Sequence, residues 1–366
     1  MVTHRITLLE ADSVSLNCLQ RELEGSGFEV TAADKPATAL RLAGERGSEA
    51  LLLDPVFLEP AELAAVRTLP DHPVFAGSPV LVLPGCPEAV VAKLGFGERA
   101  RYLAASADPI PAVLEGLALE LGLAKVGVSG VQPERRALML QSAAAGVARL
   151  RAAFPQVTAA ASDPVVLAGL VAHAHAVVMR AALAGEPVLA ALARAFQGLL
   201  VALPSIPQAA VPNAVKTLTG ALDAIGALCD PVALAGLRPP EESTVIIVDD
   251  EPFARDAALA ALKRSGLRVA TAATADEALQ RVNEHAFDLF LLDINLAEAS
   301  GFDLGAKLRE APRHKTTPIL FLTGMGTFQN RVQSTLSGGN DFLTKPFHPH
   351  DLVLRVLTWL YRGRRA

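Results

Sequence analysis

Four short apolar runs in the last third of the chain, at residues 245–248, 289–292, 319–322 and 342–343, alternate with stretches of helical pattern. The runs are too short for helices and are rich in branched or aromatic residues. They read as strands, and their alternation with helices predicts a parallel sheet with helices packed on both faces. Ligands of such sheets sit beyond the carboxyl ends of the strands. Asp249, Asp250, Asp293, Thr323 and Lys345 all fall there, so residues far apart in sequence are expected to converge on one pocket.

Three carboxylates that close would repel one another and raise each other's pKa unless a cation sat among them. Hard oxygen ligands with room for water and a phosphoryl oxygen favour Mg²⁺, which is assigned to Asp249, Asp250 and Asp293. Asp293 is expected to attack a phosphoryl group in line. The Lys345 ammonium then offsets charge on the equatorial oxygens, and Thr323 donates a hydroxyl proton to the product.

Taken in order, Val248-Asp249-Asp250-Glu251, Leu291-Leu292-Asp293, Leu322-Thr323-Gly324 and Thr344-Lys345-Pro346-Phe347 make residues 243–363 closely resemble the receiver domain of bacterial two-component response regulators. The resemblance implies a flavodoxin-like (βα)5 fold. It makes Asp293 the phosphoacceptor, Asp249 and Asp250 the acidic pair, and the backbone carbonyl of Asn295 a further metal ligand. It makes Thr323 and Lys345 the readers of the phosphoryl group, Phe342 the aromatic switch that turns inward with the threonine, and Lys345-Pro346 a cis peptide bond. Asn295 and Met325 stand where the family tunes the lifetime of the phosphoryl group. The implied donor is a histidine kinase or a phosphotransfer protein.

The N-terminal third repeats this plan. A shift of 239 positions lays Ile6-Thr7-Leu8-Leu9-Glu10-Ala11-Asp12 on the run leading into Asp249-Asp250, Leu51-Leu52-Leu53-Asp54 on residues 290–293, and residues 80–85 on 319–324. One deletion later, Tyr102-Leu103-Ala104-Ala105 falls on residues 342–345. A repeat of this size reads as two copies of one domain. Glu10 stands for Asp249, but Ala11 replaces Asp250, Pro84 replaces Thr323 and Ala105 replaces Lys345, while Asp54 keeps the acceptor place. Such a pocket should hold Mg²⁺ weakly and leave phosphoryl charge uncompensated. Residues 1–122 therefore read as a degenerate receiver. Its Asp54 is expected to be a polar residue left at a strand end, and the domain to bind a partner or pack against its neighbour.

Residues 133–231 are dominated by Ala, Leu and Val, with breaks at proline. Helix starts are predicted near Pro133, Pro164, Pro187 and Pro212. Four helices of roughly five turns suit an antiparallel bundle. The expected organisation is α/β: receivers at 1–122 and 243–366 flanking a four-helix bundle at 130–235. Ala174-His175-Ala176-Val177, the helix at 188–200, and Gly185 and Pro187 between them resemble, less closely, the histidine phosphotransfer domain. That resemblance makes His175 a candidate phosphocarrier. The family's lysine and glycine, however, are here Val178 and Met179, which supply neither charge nor docking space. His173 lies nearly opposite around the helix. The alternative for both histidines is a polar residue in or beside a helical core. Helices apolar nearly all round should bury more than one face, so the segment is expected to form a homodimer or to clamp the receivers.

Hydrophobic residues make up 51% of the chain, but the most apolar run, residues 165–185, carries His173, His175 and Arg180, which argues against a membrane span. The start, Met1-Val2-Thr3-His4-Arg5, lacks the apolar run of a signal peptide. Cys18, Cys86 and Cys229 share no metal or redox spacing and read as buried thiols of a reducing, cytoplasmic compartment. A net charge of −5 without a helix-turn-helix pattern disfavours nucleic acid, and Arg362-Gly363-Arg364-Arg365 is an ordinary helix-dipole complement. The chain stops near the end of its last receiver helix, so output is expected through a downstream protein partner rather than an enzymatic domain. Three alternatives remain open. One is a relay intermediate in which His175 passes the group between Asp293 and another receiver. Another is a metal-dependent phosphohydrolase, whose second acid would stand where Asn295 is. The third is a constitutive scaffold.

Overall fold

The structure, a computed structural model, describes residues 3–54, 56, 60–85, 94–96, 100–103, 108–123, 130–155, 163–297, 299–324 and 338–362. Of the residues singled out above, Met1, Val2, Cys86, Ala104, Ala105, Met325 and 363–365 lie outside them. Contacts divide the chain into two compact units: Met1–Pro204 with Leu228–Pro231, and Ser205–Ala227 with Val232–Ala366.

The first unit opens with β1 (Arg5–Leu9), α1 (Ser13–Gly25), β2 (Glu29–Ala33), α2 (Pro36–Arg46), β3 (Ala50–Leu53), α3 (Pro60–Thr68), β4 (Val80–Val82), β5 (Ala100–Tyr102) and α4 (Pro109–Glu120). It continues with three long helices, α5 (Pro133–Ala153), α6 (Pro164–Leu183) and α7 (Pro187–Ala202). The second unit takes most of α8 (Val211–Leu228) and the short α9 (Pro231–Leu234). A second sheet domain follows: β6 (Thr244–Val248), α10 (Pro252–Arg264), β7 (Arg268–Ala272), α11 (Ala275–Glu284), β8 (Leu289–Asp293), α12 (Gly301–Glu310), β9 (Ile319–Thr323), β10 (Asp341–Thr344) and α13 (Pro349–Arg362).

Both sheets are parallel and five-stranded, in the orders β2-β1-β3-β4-β5 and β7-β6-β8-β9-β10. Their registers repeat residue by residue. Arg5 pairs with Glu29, Ile6 with Ala50 and Leu51 with Val80; a shift of 239 turns these into Thr244 with Arg268, Val245 with Leu289 and Phe290 with Ile319, which are the pairs of the second sheet. After one inserted residue, Leu81 with Arg101 becomes Leu320 with Asp341. The helix-to-strand turns repeat as well. Ser26-Gly27 ends α1 and Ser265-Gly266 ends α10, with φ of 95° and 87° at the glycines, a conformation that a side chain would disfavour.

Hydrophobic burial drives this arrangement. Every residue of β3, β4, β8 and β9 is buried, as parallel strands covered on both faces must be. Phe321 of β9 meets Phe302 of α12 edge to face, with ring centroids 4.9 Å apart. Each such side chain contributes at most about 1.5–3 kcal/mol, so the strand runs dominate the stability of each sheet domain.

Prolines occupy the first turn of α5, α6 and α7 as predicted, and α8 begins at Val211, one residue ahead of Pro212. Asp163 caps α6 by accepting from Val165 N at 2.8 Å. The segments Pro164–Leu183 and Pro187–Ser205 are long and apolar enough to cross a membrane, but 56% and 67% of their apolar windows are buried inside the fold. α6 lies against α5 and α7 and also touches α1, so it buries more than one face within its own unit.

Candidate functional site

In the second unit, Asp249 and Asp250 follow β6, Asp293 ends β8, Thr323 ends β9 and Lys345 follows β10. Because β6 and β8 are neighbours, with Val248 opposite Leu292, the two acidic strand ends abut. Asp249, Asp250 and Asp293 each offer an oxygen within 4.8 Å of the others, and Asp249 and Asp293 are buried. Lys345 reaches across β9 to both: its Nζ lies 2.7 Å from Asp249 Oδ2 and 2.9 Å from Asp293 Oδ2. The backbone N–H of Lys345 donates to the Thr323 carbonyl at 2.6 Å, tying the lysine to the end of β9.

Charge and burial oppose each other in this pocket. Burial pushes the Asp293 carboxyl up, the Asp249 charge adds to that, and the Lys345 contact only partly offsets it. Burial would pull the Lys345 ammonium down, but its bonds to Asp249 and Asp293 outweigh it and hold the pKa above the ordinary lysine value. Three carboxylates face one ammonium here. Closely grouped hard oxygen donors with excess negative charge fit a divalent cation of the Mg²⁺ class.

The loop after β8 folds back tightly. Asn295 bridges Ser300, and Gly301 N donates to the Ile294 carbonyl at 2.9 Å. A Cβ at Gly301 would lie 2.0 Å from the Asp293 carbonyl oxygen, so only glycine lets α12 start this close to the acid. Sequence reasoning missed Gly301, although Ser300-Gly301 at the head of a helical pattern was its signal. The Lys345-Pro346 peptide bond is cis.

A family model for the response regulator receiver domain matches residues 245–357, which contain all five of these side chains. Residues 245–357 form a response regulator receiver domain. The chain is 39% identical over 118 residues to the transcriptional regulatory protein SrrA of Staphylococcus aureus, a match covering 32% of this chain and 48% of that protein. The chain thus spans about half the length of the curated relatives it matches. Among solved structures it is similar to the chemotaxis response regulator CheY4 of Vibrio cholerae, at 31% identity over 32% of this chain and 98% of that one, with a TM-score of 0.31. It is also similar to a CheY-like receiver domain protein of Methanospirillum hungatei, at 29% identity over 33% and 95%, with a TM-score of 0.32.

One face of the receiver domain carries a helix from outside it. Phe342 of β10 is half-buried, and Lys216 Nζ of α8 lies 5.9 Å from its ring centroid. Thr217 of α8 donates to Asp351 Oδ1 at 2.6 Å and accepts from Arg355. Arg355 in turn holds Asp341 at 2.9 Å. Thr217, Asp351 and Arg355 are all buried, yet clefts of about 110 and 220 Å³ remain along the same contact. This polar, incompletely filled seam is not legible in the sequence, because its partners lie more than 130 positions apart.

In the first unit the corresponding strand ends bring together Glu10, Asp54 and, from α6, His175. Nε2 of His175 donates to Asp54 Oδ2 at 2.6 Å, and both residues are buried, at 3% and 1% exposure. Asp54 is pushed up by burial, but the His175 charge and hydrogen bond, with the N–H of Val56, outweigh this and hold it below the ordinary aspartate value. Burial, followed by the Asp54 charge, drives Glu10 the other way, well above the usual range. Two buried carboxyls this close oppose each other's ionisation, so Glu10 is pushed up while His175 holds Asp54 down. Arg180, one and a half turns beyond His175, is 2% exposed and takes Asp12 in a two-pronged pair, with Nε 3.1 Å from Oδ2. Val178 and Met179 lie against Gly85, where a Cβ would be 3.4 Å from Val178 Cγ1 and 3.9 Å from Met179 Sδ. His173 instead turns its Nδ1 to the Gly169 carbonyl of its own helix, at 2.6 Å.

Proposed function

We propose that the receiver domain accepts a phosphoryl group on Asp293 and signals through protein contacts. The observation that carries this is the position of Lys345 Nζ, within 3 Å of both Asp249 and Asp293 at the carboxyl edge of the sheet. An Asp293 Oδ atom attacks the phosphorus of a phosphohistidine on a kinase or phosphotransfer protein. The P–O bond forms as the N–P bond breaks, and the departing imidazole nitrogen takes up a proton. Lys345 then turns from the carboxylates to the equatorial oxygens, and Thr323 supplies a hydroxyl to one of them. A bound Mg²⁺, held by Asp249, Asp250, Asp293 and the Asn295 carbonyl, supplies further positive charge.

The output runs through the face that α8 covers. Movement of Thr323 toward the phosphoryl oxygens frees space for Phe342 to turn inward, which removes the ring from beneath Lys216 and disturbs the Thr217–Asp351–Arg355 bonds. A contact made of hydrogen bonds beside unfilled clefts is suited to such release. A downstream partner binds the altered face. SrrA is named a transcriptional regulatory protein, but the similarity spans 118 residues and the net charge of this chain is −5, so no nucleic-acid contact is assigned. Asn295 stands where a phosphohydrolase would carry its second acid, and no enzymatic turnover is assigned.

The degenerate-receiver reading of residues 1–122 rests on the shared register and the altered pocket. The phosphotransfer-like reading of residues 130–235 rests on the helix starts and His175. A homodimer through the helices would draw on the exposed Leu138 and Val165 of α5 and α6. Cys18 and Cys229 are buried thiols, which burial pushes up to about 11, as suits a reducing cytoplasm. Beryllofluoride titration of the Mg²⁺-loaded protein, followed by fluorine NMR, tests the main proposal. An Asp293-dependent bound resonance is expected; a magnesium-saturated, folded protein that gives none overturns it.

A further inference from the structure

The two sheet domains each hold one acid at the end of the third strand, and each acid is met by one side-chain nitrogen. In the receiver domain that nitrogen is Lys345 Nζ, 2.9 Å from Asp293 Oδ2. At the N-terminal strand ends it is His175 Nε2, 2.6 Å from Asp54 Oδ2, delivered by α6. The N-terminal domain has alanine, Ala105, at the place of that lysine. A helix from elsewhere in the same unit has therefore filled the acid's need for a partner.

We infer that α6 permanently closes the N-terminal pocket, with His175 acting as the lost lysine's substitute, so that neither Asp54 nor His175 carries a phosphoryl group. Three observations bear on it. First, in-line transfer between nitrogen and oxygen places phosphorus between them, which needs roughly 4–5 Å. The observed 2.6 Å leaves no room. Second, the pair is sealed. Asp54 and His175 are almost wholly buried, Val178 and Met179 pack on Gly85 at the pocket rim, and Pro84 offers no hydroxyl. Third, the contact is fastened beyond the pair itself. Arg180 grips Asp12, the residue that caps α1, and also donates to the Ser142 carbonyl of α5 at 2.8 Å. Arg135 of α5 pairs with Glu22 of α1 and Asp108 at the head of α4. Each of these ion pairs is desolvated on at least one side, so opening the contact would strand buried charge.

The N-terminal domain is then a built-in cap on α6. It occupies the surface from which any outside receiver would have to reach His175. Phosphoryl traffic in this chain is confined to Asp293, which rests on the function proposed above only for the claim that Asp293 is loaded.

Two measurements on the full chain test the inference. Phosphoramidate reaches both imidazoles and receiver carboxylates, so intact-mass analysis after incubation with phosphoramidate and Mg²⁺ counts acceptors. Exposed imidazoles such as His72 and His285 set a background in Asp293→Asn, and that background is expected to stay the same when Asp54→Asn or His175→Gln is added. Label persisting in Asp293→Asn and lost on further change of Asp54→Asn or His175→Gln overturns the inference. The second measurement does not depend on Asp293. Diethyl pyrocarbonate modification, mapped by peptide mass, should label the half-buried His173 at least tenfold faster than His175. Equal rates at the two histidines in the wild-type protein overturn the closed pocket even if Asp293 is loaded normally. If Asp293 takes no label while His175 stays protected, the function proposed above fails and the closed pocket stands.

Discussion

His175 meets Asp54 through one short hydrogen bond, 2.6 Å from Nε2 to Oδ2, and so supplies from a helix the partner that Lys345 supplies to Asp293 from a strand end. The two pockets share a sheet register but differ in what they can admit. Asp293 and Lys345 keep side chains 8% and 17% exposed, whereas Asp54 and His175 keep 1% and 4%.

The buried pair should behave as a coupled unit. Asp54→Ala or His175→Ala alone strands a charge or a donor in the core and should lower the opening free energy of α6 by about 3 kcal/mol. The double variant should cost little more than either single one. Amide exchange of α6 in the four proteins measures this, and strictly additive losses would show that the residues do not act on each other.

Glu10 gives the first unit a pH signature. Its folded pKa is raised, first by burial and then by Asp54, while the unfolded carboxyl titrates near about 4.3. Above that pH the unfolded chain sheds a proton that the folded chain keeps, so stability falls as pH rises. Glu10→Gln removes this loss. The variant should match the wild type near pH 4 and be the more stable of the two by pH 7, in urea denaturation. A variant less stable than wild type at pH 7 would contradict the proton assignment. Asp54 has the opposite sign: its depressed pKa contributes stability above about pH 4 that disappears as pH falls through the folded value.

Lys345→Ala should leave Asp293 with less compensation for phosphoryl charge. Loading from acetyl phosphate should slow by at least about tenfold, the scale of one lost electrostatic contact in a transition state. Loading at the wild-type rate would remove Lys345 from the chemistry.

Thr217→Val keeps the shape of α8 but deletes the donor to Asp351 and the acceptor from Arg355. Amide exchange within residues 211–227 should then be several-fold faster without any phosphoryl mimic, and should respond less to beryllofluoride. An α8 that exchanges identically in free and loaded wild-type protein would exclude it as the element that feels the switch.

Much of this was legible in the sequence because it depended on local runs. The strand runs at 245–248, 289–292 and 319–322 set burial on both faces, and burial on both faces set the parallel sheets. The 239-position repeat announced a second sheet before any coordinate. The Asp249, Asp250, Asp293, Thr323 and Lys345 cluster followed, since topology alone brings strand ends together. Contacts that depend on how helices dock were not legible. Nothing near Asp54 in sequence names His175, 121 positions away, and nothing near Arg180 names Asp12. The proline breaks marked α8 as one of four similar helices, with no hint that its Thr217 belongs with Arg355. The apolar surplus of residues 133–231, read as serving self-association or a clamp on the receivers, is in α6 more than half covered within its own unit.

Phosphoryl acceptance at Asp293 is read out by Phos-tag separation of the full chain after incubation with acetyl phosphate and Mg²⁺, with Asp293→Asn alongside. One retarded species is expected in the wild type, lost on chelation of the metal before incubation and absent from the variant. A retarded species that survives Asp293→Asn unchanged would contradict it.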